Sequence, residues 1–476
     1  MSGFDHKDYF RPWPRLVPVE PGVDADVVDD RPVAPITTTP ERPSIIGPQY
    51  DRNDRNDQSP RWPVEPDRAA FAGLPGRVVD MIDPHTEADR VAVLATFLAA
   101  FGSAIGSGPH ALVGADRHGC NVFLALVGRS AKARKGASWT PVRALFDRAM
   151  PDWAQGRIVS GLGSGEGLVY AVRDAIYHSE AVKDKGKRTG EYEEVQVDPG
   201  EPDKRALVMA TELASVLRVM SRQGSTLSAV LRDAWDRGDL RVTTKNAPIR
   251  ATGAHVSVLA HVTEEELRRE LTDTETVNGF GNRFLWLGVR RSKHLPEPAP
   301  FVGVEVERLA EELETTIGWA SVQGRLQRDG EARELWAANY QELSRDGFGL
   351  AGALTDRGEP QVLRLSLLYA LSDGSATVRA AHLESALALW RYVERSVEYL
   401  FGKATGDPVA DAIENAVRKA GSLDRTAIRD LFGRNESSAR IDHALGVLAA
   451  AGRLQGRKVT SDGRSGRPPE VWQVTT

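Results

Sequence analysis

Residues 126–138 read LVGRSAKARKGAS and combine residue types that can hold a phosphate group. An apolar run ends at Gly128, and small residues follow, which let backbone N–H groups approach a bound phosphate closely. Lys135 adds a positive charge ahead of a segment that can begin a helix, and Ser138 is the nearest hydroxyl that can reach Mg²⁺. The stretch predicts a phosphate-binding loop, and the alternative is a basic turn on the surface.

The register of this loop departs from the usual Gly-x-x-x-x-Gly-Lys-Ser/Thr pattern. Counted from Gly128, the second glycine falls on Ala133 and the lysine on Arg134, while the true lysine comes one place later. The loop is therefore predicted to be divergent but still able to bind a nucleotide. Its candidate phosphate ligands are Gly128, Ser130, Arg134, Lys135, Gly136 and Ser138.

Polar residues near the ends of the second, third and fourth apolar runs, and one at the start of the fifth, can complete a nucleotide site. Glu166 can activate a water, although a glutamate at the start of a helix after a glycine-rich turn is the simpler interpretation. Glu212 can bind Mg²⁺ through water, and His261 can sense the γ-phosphate. Thr263 belongs to the same polar strand end as His261, but a helix cap explains it equally well. Arg283 can reach a nucleotide held by a neighbouring subunit.

Five short apolar runs must position these residues. Continuous apolar runs with helical segments between them are typical of a mostly parallel sheet with helices on both faces, and so of an α/β fold. Between the second and third runs, the charged residues 178–205 predict an exposed hairpin or loop. The five runs are residues 121–128, 156–161, 206–212, 255–262 and 283–291.

Composition shifts divide the chain into five predicted parts. The uncharged residues 91–107 favour a buried core helix over a membrane span, in a helical segment opened by Thr86 and Glu87. The parts are a Pro/Asp/Arg-rich disordered arm (1–66), an N-terminal helical segment (67–115), the α/β core (116–300), a helical domain (301–403) and a winged helix (404–476).

The C-terminal part predicts three helices followed by a two-stranded ribbon, which is the outline of a winged helix. In such a domain the third helix enters the major groove and the ribbon contacts the DNA backbone. The alternative is a domain that docks a protein, because acidic residues dilute the charge. The candidate DNA contacts are Arg440, His443, Arg457, Lys458, Arg464 and Arg467. Residues 241–253, with Arg241, Lys245 and Arg250, are either a second DNA-facing loop or a plain surface hairpin.

Bulk composition excludes several classes of protein. The net charge of -5 gives no global attraction to nucleic acid, so DNA contacts must come from local patches. Cys120 is the one cysteine, which excludes an internal disulfide framework and a multi-cysteine metal site. The N-terminal residues do not show a signal-peptide pattern. We therefore expect a cytoplasmic protein with no membrane partner.

Taken together, these segments resemble the RecA-like P-loop ATPases, in particular the hexameric replicative-helicase (RepA-like) branch of plasmids and phages. The chain resembles a set of uncharacterised mobile-element proteins of actinobacteria more closely still, through residues 133–138, 160–167, 203–212, 261–267 and 282–286. The resemblance covers roughly residues 68 to 403.

The resemblance implies a RecA-like core that binds ATP and Mg²⁺. Lys135 would contact the β- and γ-phosphates, and Glu166 would be the catalytic glutamate. Glu212 would be the Walker B acid, His261 the sensor and Arg283 the arginine finger. Magnesium coordination within the loop would rest on Ser138, because Ala137 stands at a position where threonine is common in the similar mobile-element proteins.

The sequence thus predicts a DNA-associated ATPase that forms a homo-oligomeric ring and acts as a helicase or helicase loader of a mobile element. The alternative is a non-enzymatic DNA-binding replication or regulatory protein with a degenerate ATPase fold. The two differ in whether the chain turns over ATP and whether single-stranded DNA stimulates turnover.

Overall fold

A computed structural model describes residues 62–130, 133–184, 187–243, 249–271, 275–276, 278–347, 349–402, 404–458 and 470–475. Most of the predicted disordered arm, residues 1–61, lies outside this part of the chain. The last residues of that arm are packed on the body of the protein. The ring of Trp62 lies 5.0 Å from the ring of Tyr399, and the Arg290 guanidinium lies 5.3 Å from the Trp62 ring.

Two helices precede the sheet, α1 (Gly73–Ile82) and α2 (Arg90–Ile105). Every residue of α2 after Arg90 is buried, so the uncharged segment is the expected core helix. The helix begins later than Thr86, because the Asp89 carboxylate accepts the Val91 N–H at 3.1 Å and caps it. No helix among the described residues combines the length and the apolar character needed to cross a membrane.

The α/β core carries all five predicted strands. In chain order, its described elements are β1 (His110–Val113), β2 (Asp116–Gly119), β3 (Phe123–Gly128), α3 (Trp139–Ala149), α4 (Pro151–Gly156), β4 (Ile158–Ser160), α5 (Gly165–Ala171), β5 (Ile176–Asp184), β6 (Lys187–Asp198), β7 (Arg205–Ala210), α6 (Leu213–Met220), α7 (Leu227–Asp236), β8 (Leu240–Val242), β9 (Ile249–Ala251), β10 (His255–Thr263), α8 (Glu264–Glu270) and β11 (Phe284–Gly288).

The five apolar runs form one parallel sheet with the strand order β11-β3-β10-β7-β4. Every residue of β3 and of β11 is buried, which requires cover on both faces of the sheet. The predicted α/β class and parallel sheet are confirmed. The charged insertion forms the antiparallel hairpin β5–β6, as expected.

Strand order places a crevice beside the loop that follows β3. The chain crosses from β3 toward β4 on one side and from β10 to β11 on the other. Because such crossovers are right-handed, the two connections run over opposite faces of the sheet. A crevice therefore opens between the carboxyl ends of β3 and β10, where ligands of open parallel sheets bind. In register, Thr263 lies opposite Gly128 at this edge.

The helical region packs directly on the sheet. Tyr392 donates a 2.7 Å hydrogen bond to the Gly288 carbonyl at the end of β11. Most of the buried hydrophobic residues of this region belong to the same hydrophobic core as the sheet. Its described elements are α9 (Val304–Ser321), β12 (Gln327–Arg328), α10 (Gly330–Leu343), α11 (Gly349–Thr355), α12 (Gly358–Ser372), β13 (Thr377–Val378) and α13 (Ala380–Phe401).

The C-terminal unit has a hydrophobic core of its own, which includes Ile413, Ile428, Leu445 and Trp472. The described strands of this unit pair antiparallel in the order β14-β16-β15. The predicted two-stranded ribbon is β15–β16, and β14 adds a third strand to it. The elements are α14 (Pro408–Ala420), β14 (Ser422–Asp424), α15 (Arg425–Leu431), α16 (Ser438–Ala450), β15 (Leu454–Lys458) and β16 (Glu470–Val474).

Candidate functional site

A cavity of about 390 Å³, here called the edge cavity, lies at the carboxyl edge of the sheet. It brings together residues from the ends of three neighbouring strands, β3, β10 and β7. Five of the predicted nucleotide-site residues meet here: Arg134, Lys135 and Gly136 from the loop, with Glu212 and His261 from later strands. The cavity is lined by Arg134, Lys135, Gly136, Ala137, Thr211, Glu212, His261, Val262, Thr263 and Glu266.

Gly128 permits the tight return of the loop at the end of β3. A Cβ atom at this position would lie 2.4 Å from the Ala133 Cβ, which is too close for any side chain. Gly136 is different, because a Cβ there would meet no atom within 4 Å. Gly128 therefore serves the path of the loop, while Gly136 leaves open space in the wall of the edge cavity.

Lys135 extends over its own loop. Its ammonium donates a 3.2 Å hydrogen bond to the Ser130 carbonyl. Partial burial lowers the pKa of Lys135, and the nearby Glu266 carboxylate opposes that shift. A phosphate group entering the cavity would offer the ammonium a stronger acceptor than a neutral carbonyl.

Arg134 faces the same cavity but is already paired. Its Nε lies 2.7 Å from Glu87 Oε2, and the Glu87 carboxylate also accepts the Leu295 N–H at 3.0 Å. Arg134 has a left-handed backbone with φ of 56°, which is uncommon for a non-glycine residue. The ion pair and the backbone conformation together shape the bend ahead of Lys135. To contact a phosphate, Arg134 would have to exchange Glu87 for it.

His261 points a neutral imidazole at the site. Its side chain is buried, and Nε2 has no hydrogen-bond partner among the described residues. Burial, helped by the positive charge of Lys135, lowers the pKa of His261 to about 4. A buried polar atom without a partner costs free energy, so an oxygen of a ligand here would satisfy a group that the protein leaves unpaired.

Glu266 lies in the edge cavity although the sequence-based prediction did not include it. Thr263 donates to Glu266 Oε2 from its hydroxyl at 2.7 Å and from its N–H at 3.1 Å. Thr263 in turn accepts the Glu266 N–H at 3.2 Å and so caps α8, which is one of the two interpretations that its sequence position allows. The spacing Thr-x-x-Glu at the end of an apolar run is the sequence signal of this capping box. This sequence signal could have placed Glu266 at the carboxyl edge of the sheet.

Glu212 follows β7 and presents an exposed carboxylate to the cavity. Ser215 donates a 3.2 Å hydrogen bond to Glu212 Oε2. This placement leaves Glu212 able to hold a hydrated Mg²⁺ beside a bound phosphate. No group of three or more His, Cys, Asp or Glu side chains among the described residues is arranged as a metal site.

Ser138 does not lie where the prediction puts it. The side chain is fully buried, and its hydroxyl donates to the Lys135 carbonyl at 2.8 Å and lies 3.3 Å from the Thr96 hydroxyl on α2. It is turned toward the protein core because a short 3₁₀ turn from Lys135 to Ser138 precedes α3. In this arrangement Ser138 does not fit the role of magnesium ligand.

Glu166 is held by hydrogen bonds near the start of α5 and does not line the edge cavity. It lies in the first turn of α5 and accepts a 3.0 Å hydrogen bond from Thr226, just before α7. Hydrogen bonds from its own N–H, from Thr226 and from Ser164 lower the pKa of Glu166. The strand before it, β4, is three strands away from β3, which corresponds to about 14 Å.

Arg283 differs most from its predicted role. It immediately precedes β11, and Phe284 pairs with Phe123 at the amino end of β3. The edge cavity is therefore a strand length away, roughly 20 Å. The Arg283 side chain is buried and donates to Asp236 Oδ2 at 2.6 Å and to the Gly279 carbonyl. The Arg283 guanidinium is thus buried and ion-paired at the amino edge of the sheet and does not line the edge cavity, and its action on a nucleotide held by a neighbouring subunit stays a prediction.

The structure describes the predicted DNA contacts of the C-terminal unit to different extents. Arg440 is held by a bidentate ion pair with Asp407, the N-cap of α14, at 2.6 and 2.7 Å. His443 on α16 and Arg457 on β15 are exposed. Lys458 ends β15, and nothing further is described for its side chain. Arg464 and Arg467 lie outside the described residues, as does Lys245 of the β8–β9 ribbon.

The other two basic residues of that ribbon are described. Arg241 and Arg250 face each other across the two strands, and both are exposed. Arg250 also lies 3.4 Å from the Asp174 carboxylate. The described residues of this segment pair as two antiparallel strands, and both of the interpretations made from its sequence, a DNA-facing loop and a plain surface hairpin, remain open.

The edge cavity can bind an anion through one lysine, one neutral histidine and the backbone of a bent loop, beside two carboxylates. Comparison with protein-family models and with curated proteins found no match to this chain.

Proposed function

We propose that the edge cavity binds the phosphates of a nucleoside triphosphate, ATP in the first instance. The observation that carries this proposal is the meeting of Lys135 and His261 at the crevice between β3 and β10. Strand order makes that crevice the expected ligand position in a parallel sheet. The strand, bent loop, lysine and following helix are the parts that a phosphate cradle needs.

Each residue of the cavity has a separate role in this proposal. The Lys135 ammonium exchanges the Ser130 carbonyl for a phosphate oxygen. His261 donates from Nε2 as a neutral imidazole, which its low pKa favours. Glu212 would hold the Mg²⁺ that accompanies ATP, an ion that supplies charge neutralisation of the phosphates. Since Ser138 is turned into the core, we assign no loop ligand to that ion.

We further propose that the chain is a cytoplasmic, DNA-associated ATPase, acting as an oligomeric helicase or helicase loader. A RecA-like identity of the sheet is supported by its parallel strands and by the position of the loop after β3. A winged-helix identity of the C-terminal unit is supported by its three helices and antiparallel ribbon, with the exposed Arg457 on the ribbon. Assembly into a ring rests on the sequence resemblance alone, because Arg283 is buried.

A second function, nucleotide binding without turnover, is favoured by three placements. Ser138 faces the core, Glu166 is bound to Thr226, and Arg283 is buried at the opposite edge. The groups expected to activate water and to stabilise the transition state are therefore not gathered around Lys135. This arrangement suits a regulatory DNA-binding protein that uses ATP as a ligand.

Calorimetric titration of the full chain with ATP and Mg²⁺ tests the binding proposal. Lys135→Ala should weaken ATP binding at least about 10-fold, as expected for losing a charged hydrogen bond. Lys419→Ala, at an exposed position of α14, is the matched control for losing one lysine and should bind as wild type. Equal affinities of all three proteins would refute the assignment.

Phosphate release with and without single-stranded DNA separates the two functions. The ATPase proposal expects DNA-stimulated release that Lys135→Ala abolishes. ATP binding with no release above background, in either condition, would establish the binding function instead.

A further inference from the structure

A second and larger cavity, about 680 Å³, lies at the amino edge of the sheet, where the chain enters β3 and β10. We call it the arginine cavity. It is independent of the edge cavity, because the length of the strands separates the two. The β1–β2 hairpin, the end of α7 and the beginning of α12 enclose it. Its principal side chains are Arg117, His118, Trp235, Asp236, Arg357 and Arg364.

Three guanidinium groups surround one indole at the base of this cavity. Their central carbons lie 3.8 Å (Arg364), 5.4 Å (Arg357) and 5.6 Å (Arg283) from the centre of the Trp235 ring. All three are within the range of a cation–π contact. Positive charges gathered this closely repel one another unless an anion lies among them.

One carboxylate, that of Asp236, forms ion pairs with two of these three arginines. It lies 2.6 Å from Arg283 and 3.6 Å from Arg357. Two further carboxylates, Asp116 and Asp239, line the cavity, as do Arg117 and Arg237. With Arg283 behind Asp236, five arginines face three carboxylates, so the described residues leave an excess of two positive charges.

Part of the excess positive charge is buried, because it lies on the guanidinium group of Arg364. Its side chain is 1% exposed, yet it lines the cavity, and no described carboxylate lies within ion-pair distance of it. It donates to the Asn121 carbonyl at 2.7 Å, to Asn121 Oδ1 at 2.6 Å and to the Trp235 carbonyl at 2.7 Å. Its Nε has no acceptor among the described residues.

Arg357 is the one of the three guanidinium groups around Trp235 that remains available. About a third of its side chain is exposed to the cavity, and its one described ion pair, with Asp236, is long at 3.6 Å. Its planar group presents donors in the fork geometry that matches a phosphate. Burial and the neighbouring Arg283 lower the pKa of Arg357, which a bound anion would reverse.

We propose that the arginine cavity is a second binding site, for a small molecule held through a phosphate group by Arg357 beside Arg364. The volume exceeds that of a phosphate and is of the size that holds metabolite-sized ligands. The concave shape and the three interspersed carboxylates disfavour an extended nucleic-acid strand, whose phosphates would approach those acids.

Thermal unfolding of the full chain against inorganic phosphate tests this site, with ionic strength held constant by chloride. The experiment uses Lys135→Ala protein, in which the edge cavity has lost its lysine. Phosphate should raise the unfolding midpoint, and adding Arg357→Gln should weaken the apparent phosphate affinity at least about 10-fold. Arg308→Gln is the matched control on α9, where the side chain is 67% exposed and pairs with Glu305.

Arginine modification of the unaltered protein gives a second readout that does not depend on how the variant folds. Phosphate should slow the reaction of phenylglyoxal with the peptide that contains Arg357, and leave the Arg308 peptide unaffected. Equal midpoint shifts with and without Arg357→Gln, together with no protection of Arg357, would overturn the proposal.

The same arginine-modification experiment with a single-stranded DNA oligonucleotide distinguishes a nucleic-acid ligand from a small phosphate-bearing ligand. Protection of Arg357 by single-stranded DNA but not by phosphate would mean that the cavity belongs to a nucleic-acid surface, against the proposal. Failure of ATP binding in the Lys135 experiments leaves this test intact, because it reads a different residue and a different ligand.

Discussion

Thr226 donates a 3.0 Å hydrogen bond to Glu166 and holds that carboxylate at the junction of α5 and α7, three strands from the strand that leads to Lys135. The residue expected to activate water and the residue expected to bind phosphate are thus fixed by different parts of the fold. Binding and hydrolysis of ATP should therefore respond separately to substitution.

Glu166→Gln should leave ATP affinity within about 2-fold of wild type, because Glu166 does not line the edge cavity. If the chain hydrolyses ATP through Glu166, the same change should slow turnover about 100-fold, the low end for losing a general base. Paired calorimetry and phosphate-release measurements check this. A parallel loss of affinity and turnover would assign Glu166 a structural role.

Gly128→Ala and Gly136→Ala should differ sharply although both lie in the loop. The new Cβ at 128 would meet the Ala133 Cβ at 2.4 Å, whereas at 136 it would meet open space. We expect Gly128→Ala to cost about 1–3 kcal/mol of unfolding free energy and to weaken ATP binding. Gly136→Ala should change stability by less than about 0.5 kcal/mol. Denaturant unfolding of both variants measures the difference.

Acid should destabilise the fold through two buried histidines. Burial lowers the pKa of both His255 and His261 to about 4, from an ordinary value of 6.5. Between pH 6.5 and 4 the unfolded chain therefore binds protons that the folded chain does not. Each histidine should remove about 2 kcal/mol of unfolding free energy between pH 7 and pH 5, and nothing above pH 7.

His261→Gln isolates one of these contributions, since glutamine does not titrate. The pH dependence of its unfolding free energy should be flatter than that of wild type between pH 7 and 5. His443→Gln, at an exposed position of α16, should follow the wild-type curve. Identical curves for all three proteins would contradict a buried, neutral His261.

If the chain binds duplex DNA and hydrolyses ATP as proposed, truncation after Gly402 should weaken duplex binding and flatten its salt dependence, while basal ATP hydrolysis survives. The C-terminal unit has its own hydrophobic core, so its loss leaves the α/β core intact. Arg457→Ala alone should reduce the salt slope by about one unit for all sequences. Unchanged affinity and salt slope after truncation would make this unit a protein-docking module.

Arg440→Ala should act on stability more than on DNA binding. Its bidentate ion pair with Asp407 supports the first turn of α14, where Asp407 also accepts the Val409 N–H at 2.9 Å. Thermal unfolding of the C-terminal unit within the full chain should shift to lower temperature, with little change in duplex affinity. A large loss of affinity with no change in stability would restore Arg440 to the DNA interface.

The sequence by itself determined the elements of the sheet. Four of the apolar runs became buried strands because a buried parallel strand needs apolar residues on both faces, which the local sequence shows, while the fifth became the short and only partly buried edge strand β4. The uncharged run at 91–107 became the buried helix α2 for the same reason. The position of Lys135 just after β3 also follows from local pattern, since loops that end parallel strands lead into helices.

The tertiary structure alone decided which edge and which direction each polar side chain takes. Arg283 precedes its strand and so lies at the amino edge, whereas Lys135, Glu212 and His261 follow theirs and lie at the carboxyl edge. Ser138 faces the core, where α2 packs beside the loop and the Thr96 hydroxyl lies 3.3 Å from the Ser138 hydroxyl. Arg357, Arg364 and Trp235 come from separate segments, and no local spacing relates them. Strand order and helix packing bring such residues together, and these depend on contacts between parts of the chain that periodicity does not describe.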